Sequence, residues 1–134
     1  MKEISDKELI KKAKETINVR KTEAGKVIGD VACALLSENG KIYVGVCIDT
    51  HEGSGICAER SAIAAMISAG ETRIEKIVAL WTDGTIISPC GACREWMWQI
   101  NKKNWEAQII VALDKKVKLT ELLPYHWHNP NEKR

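Results

Sequence analysis

The sequence predicts an α/β fold, a three-layer α-β-α sandwich built on a mixed five-stranded sheet. Three observations predict it. Apolar stretches rich in β-branched residues alternate with helical patterns, in the order α-β-β-α-β-α-β with a short extended piece before the third helix. No repeat, linker or low-complexity segment interrupts that order. The 134 residues suit one domain, expected to span 1–134. A chain of this length buries roughly two-thirds of its unfolded surface and can fold without disulfides.

Each element has its own local cause. Ser5 followed by Glu8 reads as a capping box, and Leu9, Ile10, Ala13 and Ile17 fall on one face, giving a helix over 6–18. Residues 19–26 are polar and read as a loop. Val27 to Leu36 and Ile42 to Ile48 read as two antiparallel strands, because Asn39-Gly40 between them is a strong hairpin signal. Residues 49–55 form a flexible loop. Cys57 to Ala69 is apolar nearly all round and reads as a buried helix ended by Gly70. Ile74 to Trp81 is a strand, Asp83-Gly84 a turn and Thr85 to Ile87 an extended piece stopped by Ser88-Pro89. A third helix over 90–101, a strand over 107–113 and a helical turn at 119–123 complete the order, and the tail at Asn129, Pro130 and Lys133 is expected to be loose.

Composition narrows the function classes. Hydrophobic residues at 45% and charged residues at 28% exclude a disordered or fibrous chain. The longest apolar run, around Ala62–Ile67, is far short of the roughly 20 residues that cross a bilayer. A net charge of +2 gives no basic stripe, so neither nucleic acid nor an anionic membrane is the expected partner. The first ten residues are charged and lack the apolar core of a secretory signal. Five cysteines, an odd number without such a signal, fit a reducing cytoplasm and speak against a disulfide framework.

Those cysteines carry the chemistry. Cys57-Ala58-Glu59 opens one helix and Pro89-Cys90-Gly91-Ala92-Cys93 opens the next. Catalytic zinc takes three protein ligands and keeps a fourth position open to water. Cys90 and Cys93 are three apart and share a helical face, so they can bite one ion. Cys57 and Cys90 lie at helix starts, where free N–H groups and the dipole favour thiolate. Glu59 is placed to take a proton from the activated water and pass it to a leaving amine. Three thiolates make the site electron-rich, and Arg60 and Arg94 are expected to donate to the sulfurs and offset that charge. A lone CxxC is often structural or redox-active, and a lone Cys-Ala-Glu means little. Together, each after a strand and separated by a βα-sized segment, they point to catalytic zinc.

A Cys or His, one residue and a Glu, followed later by Pro-Cys-x-x-Cys, is the zinc-deaminase signature. At these residues the sequence resembles the cytidine deaminase family, in its small all-cysteine form. Asp30-Val-Ala-Cys-Ala-Leu-Leu, Asn39-Gly-Lys-Ile-Tyr-Val-Gly, Ser88-Pro-Cys-Gly-Ala-Cys-Arg-Glu and Leu122-Leu-Pro extend the likeness over residues 8–125. The resemblance implies hydrolytic deamination of a cytosine-type nucleoside. Cys57, Cys90 and Cys93 would hold Zn²⁺, Glu59 would shuttle the proton, and the backbone at Ala58, Ser88 and Pro89 would hold the pyrimidine edge. It also implies a homotetramer with pockets completed by neighbours. The family's sugar-reading Asn-x-Glu appears here as Cys47-Ile48-Asp49, there is no Phe, and Gly29-Asp30 stands where Phe-Pro or similar is expected. The related blasticidin S deaminases also lose the sugar motif, although they usually lack the arginine supplied here by Arg60.

Two other functions compete. One is a non-catalytic zinc module with Cys47 or His51 as fourth ligand. The other is a deaminase acting on a base within RNA or DNA, which would need a basic channel and stacking aromatics. His51, His126 and His128 read as surface residues, Cys33 as core, and one each of Trp96 and Trp98 as core and subunit contact.

Overall fold

A computed structural model describes residues 4–128 and 130–131. Of the tail expected to be loose, Asn129 and Lys133 lie outside the described residues, as do the first three residues of the chain. Helix α1 (Asp6–Thr16) starts on Ser5, whose Oγ accepts from Glu8 N–H at 3.1 Å. It stops two residues short of the expected end, with Ile17 already non-helical. β1 (Arg20–Lys21) is a two-residue strand inside the expected loop. β2 (Val27–Ser37) and β3 (Ile42–Ile48) form the hairpin about Gly40, and β4 (Ile74–Trp81) follows helix α2 (Ala58–Ser68). β5 (Ile86–Ile87), helix α3 (Gly91–Ile100) and a 3₁₀ turn (Lys102–Glu106) lead to β6 (Gln108–Ala112), β7 (Lys115–Lys118) and α4 (Leu119–Leu122).

The main sheet runs β3-β2-β4-β6-β7, with β4 and β6 parallel and the other neighbours antiparallel. β1 and β5 are short additions, to β2 and β4 respectively. β7 is the strand the sequence hides: its four residues include three exposed lysines and show no apolar alternation. It exists because the turn after Ala112 returns the chain antiparallel to β6.

Helices cover both faces. Leu9, Ile10 and Ala13 of α1 pack on Ala34, Leu36, Val78, Leu80 and Ile110. On the other face, Ala62, Ile63 and Met66 of α2 and Met97 of α3 pack on Cys33, Leu35, Ile77, Ala79 and Ile109. Gly45 makes the close seat of α2 on β3 possible, since a Cβ there would lie 2.3 Å from Ala62 N. In the isolated chain α2 is not buried all round: Ala64, Ala65 and Ile67 are exposed. Asn104 is fully buried in the turn after α3, where it accepts from Ile74 N–H and donates to the Thr72 and Met97 carbonyls, so its burial leaves nothing unpaired.

Candidate active site

Both helices that carry the cysteine motifs begin at one place. Cys57 is the residue immediately before α2, and Cys90 the residue immediately before α3, each with extended backbone. The sequence had placed them inside the first turns; as caps they keep their side chains beside the free N–H groups. Cys93, one turn into α3, is fully buried. The Cys57 and Cys90 sulfurs are 3.4 Å apart, as are those of Cys90 and Cys93. All three lie within 4.8 Å of one another. A tetrahedral zinc–thiolate shell with bonds of about 2.3 Å sets its sulfurs about 3.8 Å apart, so this trio fits zinc. Among the described residues no fourth His, Cys, Asp or Glu joins the trio. Cys47 belongs to a separate cluster and His51 to none, so neither supplies a closing ligand.

Cys57 and Cys90 line a cleft of about 440 Å³, walled by the β2 bulge, the end of β3, the 49–56 loop and the start of α2, with Cys93 buried behind them. Glu59 lines that cleft although it is only 4% exposed. Burial pushes its carboxyl above the ordinary range, against a hydrogen bond from its own N–H and the nearby Arg60 charge. Ala58 and Ser88 line the same cleft. Pro89 does not. It is buried beside a small void that also touches Glu59.

The sulfurs differ in acidity. At Cys90 burial is outweighed by N–H groups of Cys93 and Ala92 and by the neighbouring thiols, so its thiol is lowered. At Cys57 and Cys93 burial dominates and raises the thiols. Of the two helix starts, therefore, only that of α3 favours thiolate by itself. The arginines differ as well. Arg60 lies beside the sulfurs of Cys57 and Cys93, whose nearness holds its charge firmly, while its Nε is buried without a partner. Arg94 departs from expectation: Nε donates to Pro89 O at 2.8 Å and Nη1 to Leu122 O at 3.1 Å. It ties the corner before α3 to the end of α4 and leaves the sulfurs to Arg60.

Cys47 and Asp49 stand in the cleft wall. Asp30, which the sequence marked only as a departure, joins them: its Oδ1 accepts from Cys47 Sγ at 2.5 Å. Gly29 explains how. Between Ile28 and Ala32, β2 advances four residues while β3 moves two, from Ile48 to Val46. Gly29 takes φ +79° inside that bulge, where a Cβ would sit 2.0 Å from Asn18 O. A bulge re-aims side chains, and here it turns Asp30 into the cleft.

The comparisons with known proteins agree with this geometry. The model of the cytidine and deoxycytidylate deaminase zinc-binding region matches residues 4–108. The chain belongs to that family of zinc-binding deaminase domains. It is 40% identical over 68 residues to a probable cytidine deaminase of Dictyostelium discoideum, covering 49% of this chain and 46% of that protein. It is 31% identical over 99 residues to the blasticidin-S deaminase of Bacillus cereus, covering 67% and 69%. The chain thus spans about half the length of the first of these relatives and over two-thirds of the second. In fold it matches the crystal structure of cytidine deaminase from Mycobacterium tuberculosis, with a TM-score of 0.79, 21% identity, and 95% and 100% of the two chains covered.

Proposed function

We propose that this chain is a single-domain hydrolytic deaminase of a cytosine-type nucleoside, taking cytidine or deoxycytidine to uridine or deoxyuridine plus ammonia. The observation that carries the reading is the incomplete shell: three convergent sulfurs, no fourth protein donor among the described residues, and a buried carboxylate in the same cleft. A structural zinc module would close its shell.

Cys57, Cys90 and Cys93 would hold the zinc, which would supply Lewis acidity enough to bring a water toward a pKa of about 7. Glu59 would carry two protons in turn, one from the attacking water to the ring nitrogen and a second from the newly added hydroxyl to the amine, which then leaves as ammonia. Its burial keeps bulk water from competing for the proton. The Cys57, Cys90 and Cys93 thiolates would leave excess negative charge, which Arg60 offsets from its place beside two of them. The Ala58 N–H, free at the start of α2, and the Ser88 backbone hold the polar edge of the pyrimidine. Pro89 fixes the corner on which Ser88 stands.

A second reading, deamination of blasticidin S or another modified cytosine, is favoured by one observation: the sugar-reading positions are Cys47 and Asp49 joined by Asp30. Assembly as a homotetramer is supported by the apolar residues left uncovered on α2 and by Trp81, which is half exposed. Five free cysteines support a reducing, cytoplasmic setting. Among the described residues no helix is long and apolar enough to cross a membrane.

The test is ammonia release from cytidine, deoxycytidine, cytosine and blasticidin S, with Glu59→Ala as control. Turnover of one of them, lost in the control, supports the reading. A zinc-loaded protein that releases none contradicts it.

A further inference from the structure

The five cysteines differ in access. Cys90 is exposed and lines the cleft, Cys57 is half-buried, and Cys33, Cys47 and Cys93 are buried. Cys33 is packed among core side chains and Cys47 donates to Asp30, and neither belongs to the sulfur trio. An oxidant that enters the cleft therefore meets Cys90 first. Cys90 also stands between the other two sulfurs of the trio, 3.4 Å from each. A disulfide bond is about 2.05 Å long, so either neighbour has to close by only about 1.4 Å.

The two neighbours differ in what that closure moves. Cys90 caps α3 and Cys93 is the third residue of the same helix. A cap side chain points toward the third helical residue, and residues three apart on a helix lie within the usual span of a disulfide. Gly91 and Ala92 between them are small and exposed, and a Cβ at Gly91 would meet nothing within 4 Å. Side-chain rotation alone can therefore bring these two sulfurs together. Cys57 stands at the start of a different helix, α2, and bonding it to Cys90 would draw one helix start toward the other. Cys93, shielded from the oxidant by its burial, is the partner that resolves an oxidised Cys90.

We propose that Cys90 and Cys93 are a reversible redox couple, closed to a disulfide by hydrogen peroxide, whose closure switches the metal site off. The Cys90 thiolate attacks one oxygen of the peroxide; an S–O bond forms, the O–O bond breaks and hydroxide leaves. The Cys93 thiolate then attacks the Cys90 sulfur; the S–S bond forms and the oxygen leaves as a second hydroxide. The two sulfurs lose the two electrons that the peroxide gains. Neither sulfur remains a thiolate donor, and Cys57 alone is too small a ligand set to hold zinc. A thiol reductant reverses the closure, so a reducing setting keeps the couple open and the trio available. The inference rests on the zinc site of the proposed reading and not on its reaction.

The test treats zinc-loaded wild-type protein with hydrogen peroxide beside a chromogenic zinc chelator. Free thiols are then blocked with N-ethylmaleimide and the chain is cut with trypsin without reduction. Cleavage after lysine and arginine leaves Cys90 and Cys93 together in peptide 77–94, Cys57 with Cys47 in 42–60, and Cys33 in 27–41. Peptide 77–94 is expected unblocked and lighter by two hydrogens than its dithiol form. Zinc release should rise in step with it, one ion for each closed peptide, and dithiothreitol with added zinc should restore the full zinc content. In zinc-free Cys57→Ser the same peptide should still close. A cross-link between peptides 42–60 and 77–94 in place of the loop would overturn the proposal. So would Cys90 carried to sulfinic acid without a disulfide, zinc loss out of step with closure, an open peptide in Cys57→Ser, or a chain that takes up no zinc or whose thiols survive the peroxide. Absence of ammonia release by the wild-type protein, with closure and zinc loss as expected, would defeat the deaminase reading and leave the couple standing.

Discussion

Glu59 and the three site cysteines do different work, and substitution separates them. On the proposed mechanism, Glu59→Gln keeps shape and removes the proton carrier. Its kcat on the preferred substrate should fall by about 10²–10⁴-fold while zinc content is retained, as read by steady-state kinetics beside metal analysis. Arg60→Gln should act through the sulfurs it lies beside, weakening zinc retention by about tenfold in a chelator competition. Arg94→Gln, whose partners are the Pro89 and Leu122 carbonyls, should instead lower stability by about 1–2 kcal/mol with zinc affinity kept. The two motif halves were legible in the sequence because helix starts and cysteine spacing are local properties. What Arg94 would bond was not, because its carbonyl partner at Leu122 is 28 residues away and is brought near only by the packing of α4.

At the scale of elements, α1 is held to the sheet by more than its apolar stripe. Lys76 of β4, 9% exposed, donates to Asp6 Oδ1 at 2.7 Å and to Ile4 O at 2.7 Å, and Lys116 lies 3.3 Å from Asp6. Burial raises the Asp6 carboxyl, but the two lysines outweigh it and the net shift is downward. A lowered folded-state pKa adds stability that is present above the unfolded value near 4 and lost as pH falls through the folded value. Asp6→Asn should therefore cost about 0.5–1 kcal/mol at pH 7, allowing for solvent screening, with the difference from wild type shrinking as pH falls below about 4 in urea melts. The bulge in β2 makes a second prediction. Gly29→Ala places a Cβ against Asn18 O at a positive φ and should destabilise by about 2–3 kcal/mol, measured by thermal unfolding. The apolar strands and amphipathic helices were readable from periodicity. β1, β7 and the bulge were not, since pairing partners rather than their own residues define them.

For the molecule as a whole, the sheet brings together residues that sequence order separates. Asp30, Cys47, Glu59 and Cys90 share one cleft because β2 and β3 pair and two helices start at the same side of the sheet. The layered α/β architecture was foreseen from the order of elements. The meeting of Asp30 with Cys47 was not, because nothing local ties residue 30 to residue 47. Helix α2 also shows where one chain falls short: its apolar Ala64, Ala65 and Ile67 face solvent. On the proposed reading zinc would tie the starts of α2 and α3 together, and removing it with a chelator should cost about 3 kcal/mol, roughly 10 °C in Tm.

The most direct measurement is X-ray absorption at the zinc edge of the loaded protein under reducing conditions. Three sulfurs near 2.3 Å and one oxygen near 2.0 Å are expected, with one sulfur lost in Cys57→Ser. A fourth sulfur from Cys47, a histidine from the 49–56 loop, or protein that holds no zinc would contradict the site described above.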